Sequence, residues 1–268
     1  MKEYLLDHMT WQELGDVLSQ IDAVFIPVGA TEQHGPHLEI RFDAFSASEL
    51  CYRAARTLNE QGRWVLVAPT VNYGVSWYHR NVPGTITLSH ETFRNVIKDI
   101  CRSLTRHGFK NLIIVNTHGG NNSTLTSCLD ELNAEERIRV IMAHWSSVAA
   151  PEIKRLGIET PSMHAGESET SLGYGLGMNV RRDKLSGTIL NRMEKHRELG
   201  FPVSRHISYD PSMPGSRVNV PMDFIEQITD EGVIGDASLA TEEKGRCIVE
   251  YINTVLTELV TDLVYSGR

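Results

Sequence analysis

The sequence is poor in cysteine and has no long apolar run. Its four cysteines lie far apart and form no Cys-x-x-Cys pair, which favours buried free thiols in a reducing compartment. No apolar run approaches the ~18 residues that a membrane span requires, and the first residues do not resemble a signal peptide. We therefore expect a cytoplasmic protein.

The sequence also lacks a basic excess and the motif of a serine nucleophile. Its net charge is −8, whereas a surface that binds nucleic acid or an anionic membrane needs basic residues. No Gly-x-Ser-x-Gly segment is present, and nothing indicates a serine or cysteine nucleophile. The expected partner is a small-molecule substrate, and neither a nucleic acid nor a membrane is expected.

Short apolar runs alternate with amphipathic helical patterns along the 268 residues. The runs predicted to be strands are 23–30, 64–69, 111–115 and 138–142. This alternation predicts an α/β fold in which helices cover both faces of a mostly parallel sheet. No linker or repeat divides the chain, so we expect a single domain over residues 1–268.

Capping residues mark several predicted helix boundaries. Thr10, Ser89 and Thr241 are suited to the N-cap position, and Gly108 ends the helical pattern that follows Ser89. The segment after Pro151 is predicted to be irregular, and residues 181–223 show no clear pattern.

Carboxylates and imidazoles follow three of the predicted strands. Glu32, His34 and Asp43 come after the first strand, His118 follows the third, and His144 ends the fourth. Ligands of such folds bind beyond the carboxyl ends of the strands, so these side chains are expected to converge. Oxygen and nitrogen donors without thiolate suit Zn²⁺, Mn²⁺ or Fe²⁺. The alternative is a set of ordinary solvated loop residues.

A second motif, residues 164–169, carries one imidazole and two carboxylates. If the segment is helical from Gly166, Glu167 and Glu169 point about 160° apart, so only one of them faces a metal. A set of this kind could complete a two-metal centre, which makes hydroxide from water near neutral pH and polarises a carbonyl. Hydrolysis of a C–N bond requires both effects.

Several other polar and aromatic residues have two possible roles. His37 suits either support of the ligands or contact with a substrate. Trp145 and Trp77 could line a pocket or belong to the core, while His79 and Arg80 could bind a polar substrate or lie on the surface. The glycine-rich run 173–177 follows no recognisable strand, so a nucleotide-binding loop is not predicted there.

With these motifs in place, the chain resembles the creatininase family of metal-dependent hydrolases. The matching segments are 32–38 with Asp43, 83–85, 116–121, 164–171, and 232–236 with 240–241. Each segment alone is a weak signal, but together they are specific and extend in order from about residue 10 to 250.

The resemblance implies a three-layer α/β sandwich, two divalent metal ions and a homo-oligomer, often a hexamer. The ions are expected to be zinc and/or manganese, with iron a further possibility. The metal ligands implied by motif are Glu32, His34, Asp43, His118 and Glu169, with Asp43 bridging the two ions. His164 is the implied proton-transfer group, and Trp145 matches a substrate-binding tryptophan. His37, His79 and Arg41 complete the predicted substrate site.

Three departures from creatininase itself bear on the substrate. Creatininase has a ligating glutamate where this chain has Gly120, so the ligand role passes to Glu169. Its substrate-closing tryptophan has no match at Thr160 or Pro161, and Arg41 places a charge beside the site. We expect hydrolysis of a small cyclic amide or formamide-like substrate. The alternatives are a lactone or a cyclic diketone such as an oxidised inositol, a peptide-maturation peptidase, and a non-catalytic metal-binding protein.

Overall fold

A central parallel sheet organises the molecule in the computed structural model, which describes residues 4–134, 137–158, 163–188 and 225–265. Its four strands are β1 (Ala23–Val28), β2 (Val65–Val67), β3 (Leu112–Asn116) and β4 (Val140–His144). They lie in the order β2-β1-β3-β4, and every neighbouring pair is parallel. Two further short strands, β5 (Gly187–Thr188) and β6 (Gly235–Asp236), pair antiparallel.

The strands are apolar throughout because both faces of the sheet are covered. Phe25 and Ile113 point into one core, whereas Val24, Ile26 and Ile114 point into the other. Alternate residues of one strand thus enter different layers, as the pleat requires. Continuous apolar runs are therefore the expected pattern for a sheet buried on both faces.

Eight α-helices lie within the described residues. They are α1 (Trp11–Val17), α2 (Phe42–Glu60), α3 (His90–His107), α4 (Asn122–Ala134), α5 (Trp145–Arg155), α6 (Glu167–Leu176), α7 (Ile225–Ile228) and α8 (Glu242–Tyr265). Helices α2, α5, α6 and α8 cover one face of the sheet, and α3 and α4 cover the other. The three-layer α/β architecture is therefore confirmed.

The predicted caps are present. The Thr10 and Glu13 side chains form a reciprocal capping box at α1, and the Ser89 hydroxyl accepts from the Thr92 N–H at α3. Helix α3 ends at Gly108, whose φ of 104° is left-handed. The Thr241 hydroxyl accepts from the main-chain N–H of Lys244 in the first turn of α8.

The sequence predicts an irregular segment after Pro151, and this prediction is wrong for the residues up to Arg155. Helix α5 starts directly after β4 and includes Pro151, which lies exposed on its outer side. A proline inside a helix is unfavourable, but burial of Trp145 and Ala149 in the core that α5 shares with α8 offsets that cost. Thr160, Pro161 and most of the unassigned segment 181–223 lie outside the described residues.

The glycine-rich run 173–177 is the second half of α6 and its C-terminal cap. A Cβ atom at Gly175 would collide with the main-chain oxygen of Gly245, and one at Gly245 would collide with that of Ser171. The glycines thus let α6 and α8 approach closely. In the part of the chain that the structure describes, no helix combines the length and apolarity needed to cross a membrane.

Candidate metal centre

The candidate centre lies where three strands end at the same level. Val28, Asn116 and His144 stand beside one another in the register of β1, β3 and β4. The segments that leave these strands therefore start at one edge of the sheet. Asp43 joins them as the second residue of α2.

Asp43 lies between two imidazoles. One carboxylate oxygen, Oδ1, is 3.3 Å from Nε2 of His34, and the other, Oδ2, is 3.1 Å from Nδ1 of His118. On the outer sides, Oε1 of Glu32 is 3.4 Å from Nδ1 of His118, and Oε2 of Glu169 is 3.9 Å from Nε2 of His34. The five residues predicted as ligands thus form one buried cluster.

Main-chain carbonyls orient both imidazoles. Nε2 of His118 lies 2.9 Å from the carbonyl oxygen of Val75, and Nδ1 of His34 lies 3.2 Å from that of Glu32. A carbonyl oxygen only accepts, so these ring nitrogens carry the hydrogens. The other nitrogen of each ring is directed at the carboxylates, as metal-binding histidines require.

Two asparagines, one at the end of β3 and one in the loop after it, hold the His118 loop in place. The side-chain oxygen of Asn121 accepts from the N–H of Val75, and its amide donates to the carbonyl of Gly29. Asn116 accepts from the main-chain N–H of His118 and donates to its carbonyl. The N–H of Val75 is thus bound by Asn121, and its carbonyl oxygen is bound by the His118 ring.

Position 120 has no room for a side chain unless its neighbours move, so it does not suit a further ligand. A Cβ atom at Gly120 would collide with the Val75 oxygen and lie 2.5 Å from Nε2 of His118. Glu169 lies at the cluster instead, and its Oε2 accepts from the N–H of Ala165, whose φ of 51° is left-handed. Glu167 points away and accepts from the Lys244 ammonium, so only one acid of this motif faces the cluster.

Charge coupling within the cluster changes several pKa values. Burial lowers the pKa of His34, but the Asp43, Glu169 and Glu32 carboxylates outweigh it and raise that pKa to about 10. The same competition raises the pKa of His118 to about 9. Burial raises the pKa of Glu169 to about 7. In the metal-free protein, the protons held by His34 and His118 therefore supply the positive charge that balances these carboxylates.

His164, the predicted proton-transfer group, lies beside the cluster. Its Nδ1 is 3.8 Å from Oε1 of Glu32, and its main chain forms two hydrogen bonds with Ile234. Burial, together with His79 and His34, holds the pKa of His164 well below its usual value, so the ring is neutral. Ligand atoms of Glu32, His34 and His164 also lie within 4.8 Å of one another, so this trio is a second possible ligand group beside Glu32, Asp43 and His118.

The residues predicted to bind substrate lie in different places. Nε2 of His79 is 3.5 Å from Oε1 of Glu32, at the cluster. His37 is completely buried and hydrogen-bonds to the Thr170 hydroxyl, and Trp145 belongs to the core. The Arg41 side chain is 60% exposed and pairs with Glu39, so the structure does not bring it to the cluster.

Gln33 was given no role from the sequence, and His144 was expected only to converge with the other side chains at the strand ends. The Gln33 amide lies 2.9 Å from ring nitrogens of both His79 and His164. Nε2 of His144 is buried without a hydrogen-bond partner, and burial lowers the pKa of this ring to about 4. Gln33 stands between two predicted ligands in the chain, but an uncharged amide gives no ligand signal.

Comparisons with known proteins agree with this architecture. The creatininase family model, described as creatinine amidohydrolase, matches residues 7–260. Creatinine amidohydrolase of Pseudomonas putida is 27% identical over 93% of each chain. A mycofactocin precursor peptide peptidase of Mycobacterium ulcerans is 34% identical, with 90% of this chain and 83% of that one covered. A 3-dehydro-scyllo-inosose hydrolase of Thermotoga maritima is 26% identical, with coverages of 96% and 82%.

Solved structures share the same fold. A creatininase described as a manganese form superposes with a TM-score of 0.78 at 24% identity, covering 97% of this chain and 98% of that one. A mutant creatininase of Zn-Zn type gives a TM-score of 0.77 at 23% identity, with 98% of each chain covered. Because the family model spans almost the whole sequence, the chain belongs to the creatininase family of hydrolases.

Proposed function

We propose that this protein is a metal-dependent hydrolase that cleaves a C–N bond of a small cyclic amide or formamide-like substrate. The observation that carries the proposal is the Asp43 carboxylate between His34 and His118, flanked on both sides by a further carboxylate. Such a group is suited to bridge two cations. The family relationship supports hydrolysis, and the cluster supports the metal-dependent form of it.

The donor set fits two divalent ions. Glu32 and His118 would hold one ion, His34 and Glu169 the other, and Asp43 would bridge them. Oε2 of Glu32 is buried without a hydrogen-bond partner, which is costly unless a cation binds it. Oxygen and imidazole donors suit zinc and manganese, the metals named for two structural neighbours, and also iron.

Bound there, the two ions would polarise the substrate carbonyl and lower the pKa of a water molecule. His164 presents a neutral ring to the cluster and is placed to accept a proton from the attacking water. The same nitrogen would then deliver that proton to the leaving nitrogen. His79 packs against His164 with ring centroids 4.3 Å apart and ring planes inclined by 31°, and it limits how the His164 ring can turn.

A peptidase is the second candidate. The mycofactocin peptidases are 30 to 34% identical to this chain, whereas the creatinine amidohydrolase is 27% identical. A peptide bond is also a C–N bond, so the same groups would serve both reactions. The inosose hydrolase relative supports a third type of substrate, a lactone or cyclic diketone, at the same site.

A substrate panel with defined metal content tests the proposal. The zinc- or manganese-loaded protein is offered cyclic ureides, formamides, lactones, inosose derivatives and short peptides. We expect turnover of a cyclic ureide or formamide that chelation abolishes and added metal restores. Cleavage confined to peptides would assign the peptidase function instead. Stoichiometric metal without turnover of any member would favour a non-catalytic metal-binding protein.

A further inference from the structure

The Gln33 side chain has only one possible orientation. Its oxygen Oε1 lies 2.9 Å from the main-chain N–H of Gly35, which can only donate. Its nitrogen Nε2 lies 3.2 Å from the carbonyl oxygen of Gly232, which can only accept. Main-chain groups at both ends therefore distinguish the oxygen from the nitrogen, and exchanging them would break both bonds.

This orientation determines which nitrogen of His79 carries hydrogen. Nε2 of Gln33 is a donor and lies 2.9 Å from Nδ1 of His79, so Nδ1 must accept and carries no hydrogen. The hydrogen of the neutral ring is then on Nε2. That nitrogen lies 3.5 Å from Oε1 of Glu32 and directs an N–H toward the carboxylate.

His164 lies against both the main chain and the side chain of Gln33. Its Nε2 is 2.8 Å from the main-chain carbonyl oxygen of Gln33, which accepts, and 2.9 Å from the side-chain Nε2 of Gln33, which donates. These two contacts are compatible with either tautomer of His164. The tautomer of His79 is determined, because a bare Nε2 of His79 would face the Glu32 carboxylate and a protonated Nδ1 would face the Gln33 donor.

We propose that Gln33 is a positioning residue that sets the tautomer of His79 and so gives His79 an N–H toward Glu32. The N–H of His79 holds Oε1 of Glu32 and leaves Oε2 available to a cation. Glu32 is a ligand of the proposed metal centre, and in that respect the inference rests on the proposed function. The assignment of the tautomer itself depends only on hydrogen-bond geometry.

Gly232 allows the amide to occupy this place. A Cβ atom at Gly232 would collide with Oε1 of Gln33 and lie 2.7 Å from its Cδ. Gly232→Ala therefore displaces the amide without changing Gln33. Gly157→Ala is the matched control, because Gly157 has nearly the same left-handed φ, 68° against 70°, and no atom within 4 Å of an added Cβ.

The test uses the zinc-loaded full-length chain labelled with ¹⁵N. Two-bond ¹H–¹⁵N correlations identify the protonated nitrogen of each imidazole, and we expect Nε2 for His79. Gln33→Glu replaces the donor to His79 with an acceptor, so the hydrogen of His79 should move to Nδ1. Zinc affinity, measured by chelator competition, should fall about 10- to 100-fold because Glu32 loses its orienting N–H.

The outcomes separate this inference from the proposed function. Gly232→Ala should disturb the His79 tautomer, whereas Gly157→Ala should not. A His79 hydrogen on Nδ1 in the wild type, or an unchanged tautomer in Gln33→Glu, would overturn the inference. If the His79 tautomer is as stated but the wild type hydrolyses nothing in the panel, the inference stands and the proposed function fails.

Discussion

At the scale of single residues, a mutation can decide whether His164 is a proton-transfer group or a metal ligand. It lies beside Glu32 and could serve either purpose by distance alone. If it transfers protons, His164→Ala should retain both metal ions while kcat falls about 10²- to 10⁴-fold. Metal analysis and kcat are measured on the same preparation, with His107→Ala, an exposed histidine at the end of α3, as control. Loss of one ion would instead make His164 a ligand.

The adjacent residues Gly120 and Gly119 provide a test position and a matched control for the role of the Val75 carbonyl. A methyl group at Gly120 would push against Val75 and the ring of His118, whereas one at Gly119 would meet nothing within 4 Å. Gly120→Ala should therefore weaken metal binding about 10- to 100-fold, because His118 loses its orienting carbonyl. Gly119→Ala should leave the affinity unchanged. Isothermal titration with Zn²⁺ measures both, and equal affinities would contradict this role of Gly120.

Many residues of the cluster could be predicted because charged side chains follow the apolar strands. Glu32, His34, Asp43 and His118 carry that signal, and the structure places them together. The role of Gln33 could not be foreseen, since it depends on main-chain groups of Gly35 and Gly232 that folding brings near. Arg41, expected beside the site, pairs locally with Glu39 and points outward.

At the scale of elements, the contact between α6 and α8 depends on small residues. Gly175→Ala would overlap the Gly245 main chain, so unfolding free energy should fall by about 1–3 kcal/mol. Gly15→Ala in α1 meets no atom within 4 Å and should raise it by about 0.5–1 kcal/mol. Chemical denaturation measures both. A Gly175→Ala protein as stable as the wild type would show that the helices can separate without loss.

Element boundaries were predictable wherever local chemistry determines them. Ser89 and Gly108 delimit α3 through a side-chain cap and a left-handed residue, which are local effects. Helix α5 was missed because Pro151 is a local signal against a helix, while the opposing contribution is burial of Trp145 and Ala149 in a core shared with distant α8. Tertiary packing of this kind is not visible in a local pattern.

At the scale of the whole molecule, metal binding is coupled to protonation. In the metal-free protein the pKa values of His34 and His118 are about 10 and 9, so both rings are protonated at pH 7. Each ring must lose its proton to bind a cation, and Glu169, whose pKa is about 7, must lose the part of a proton that it carries at pH 7. We therefore expect between about two and three protons to be released per chain at pH 7. Affinity should accordingly fall as the pH is lowered. Calorimetry in two buffers with different ionisation enthalpies counts the protons, and no release would contradict these raised pKa values.

The parallel sheet brings together residues from distant parts of the chain. The proposed chemistry requires that these residues bind two cations together. The deciding measurement is the metal content of the purified, metal-saturated protein and of three variants, by mass spectrometry. We predict two divalent ions per chain in the wild type, about one in Glu32→Gln and in Glu169→Gln, and fewer than one in Asp43→Asn. A single ion in the wild type, or two ions in Asp43→Asn, would contradict the bridged pair.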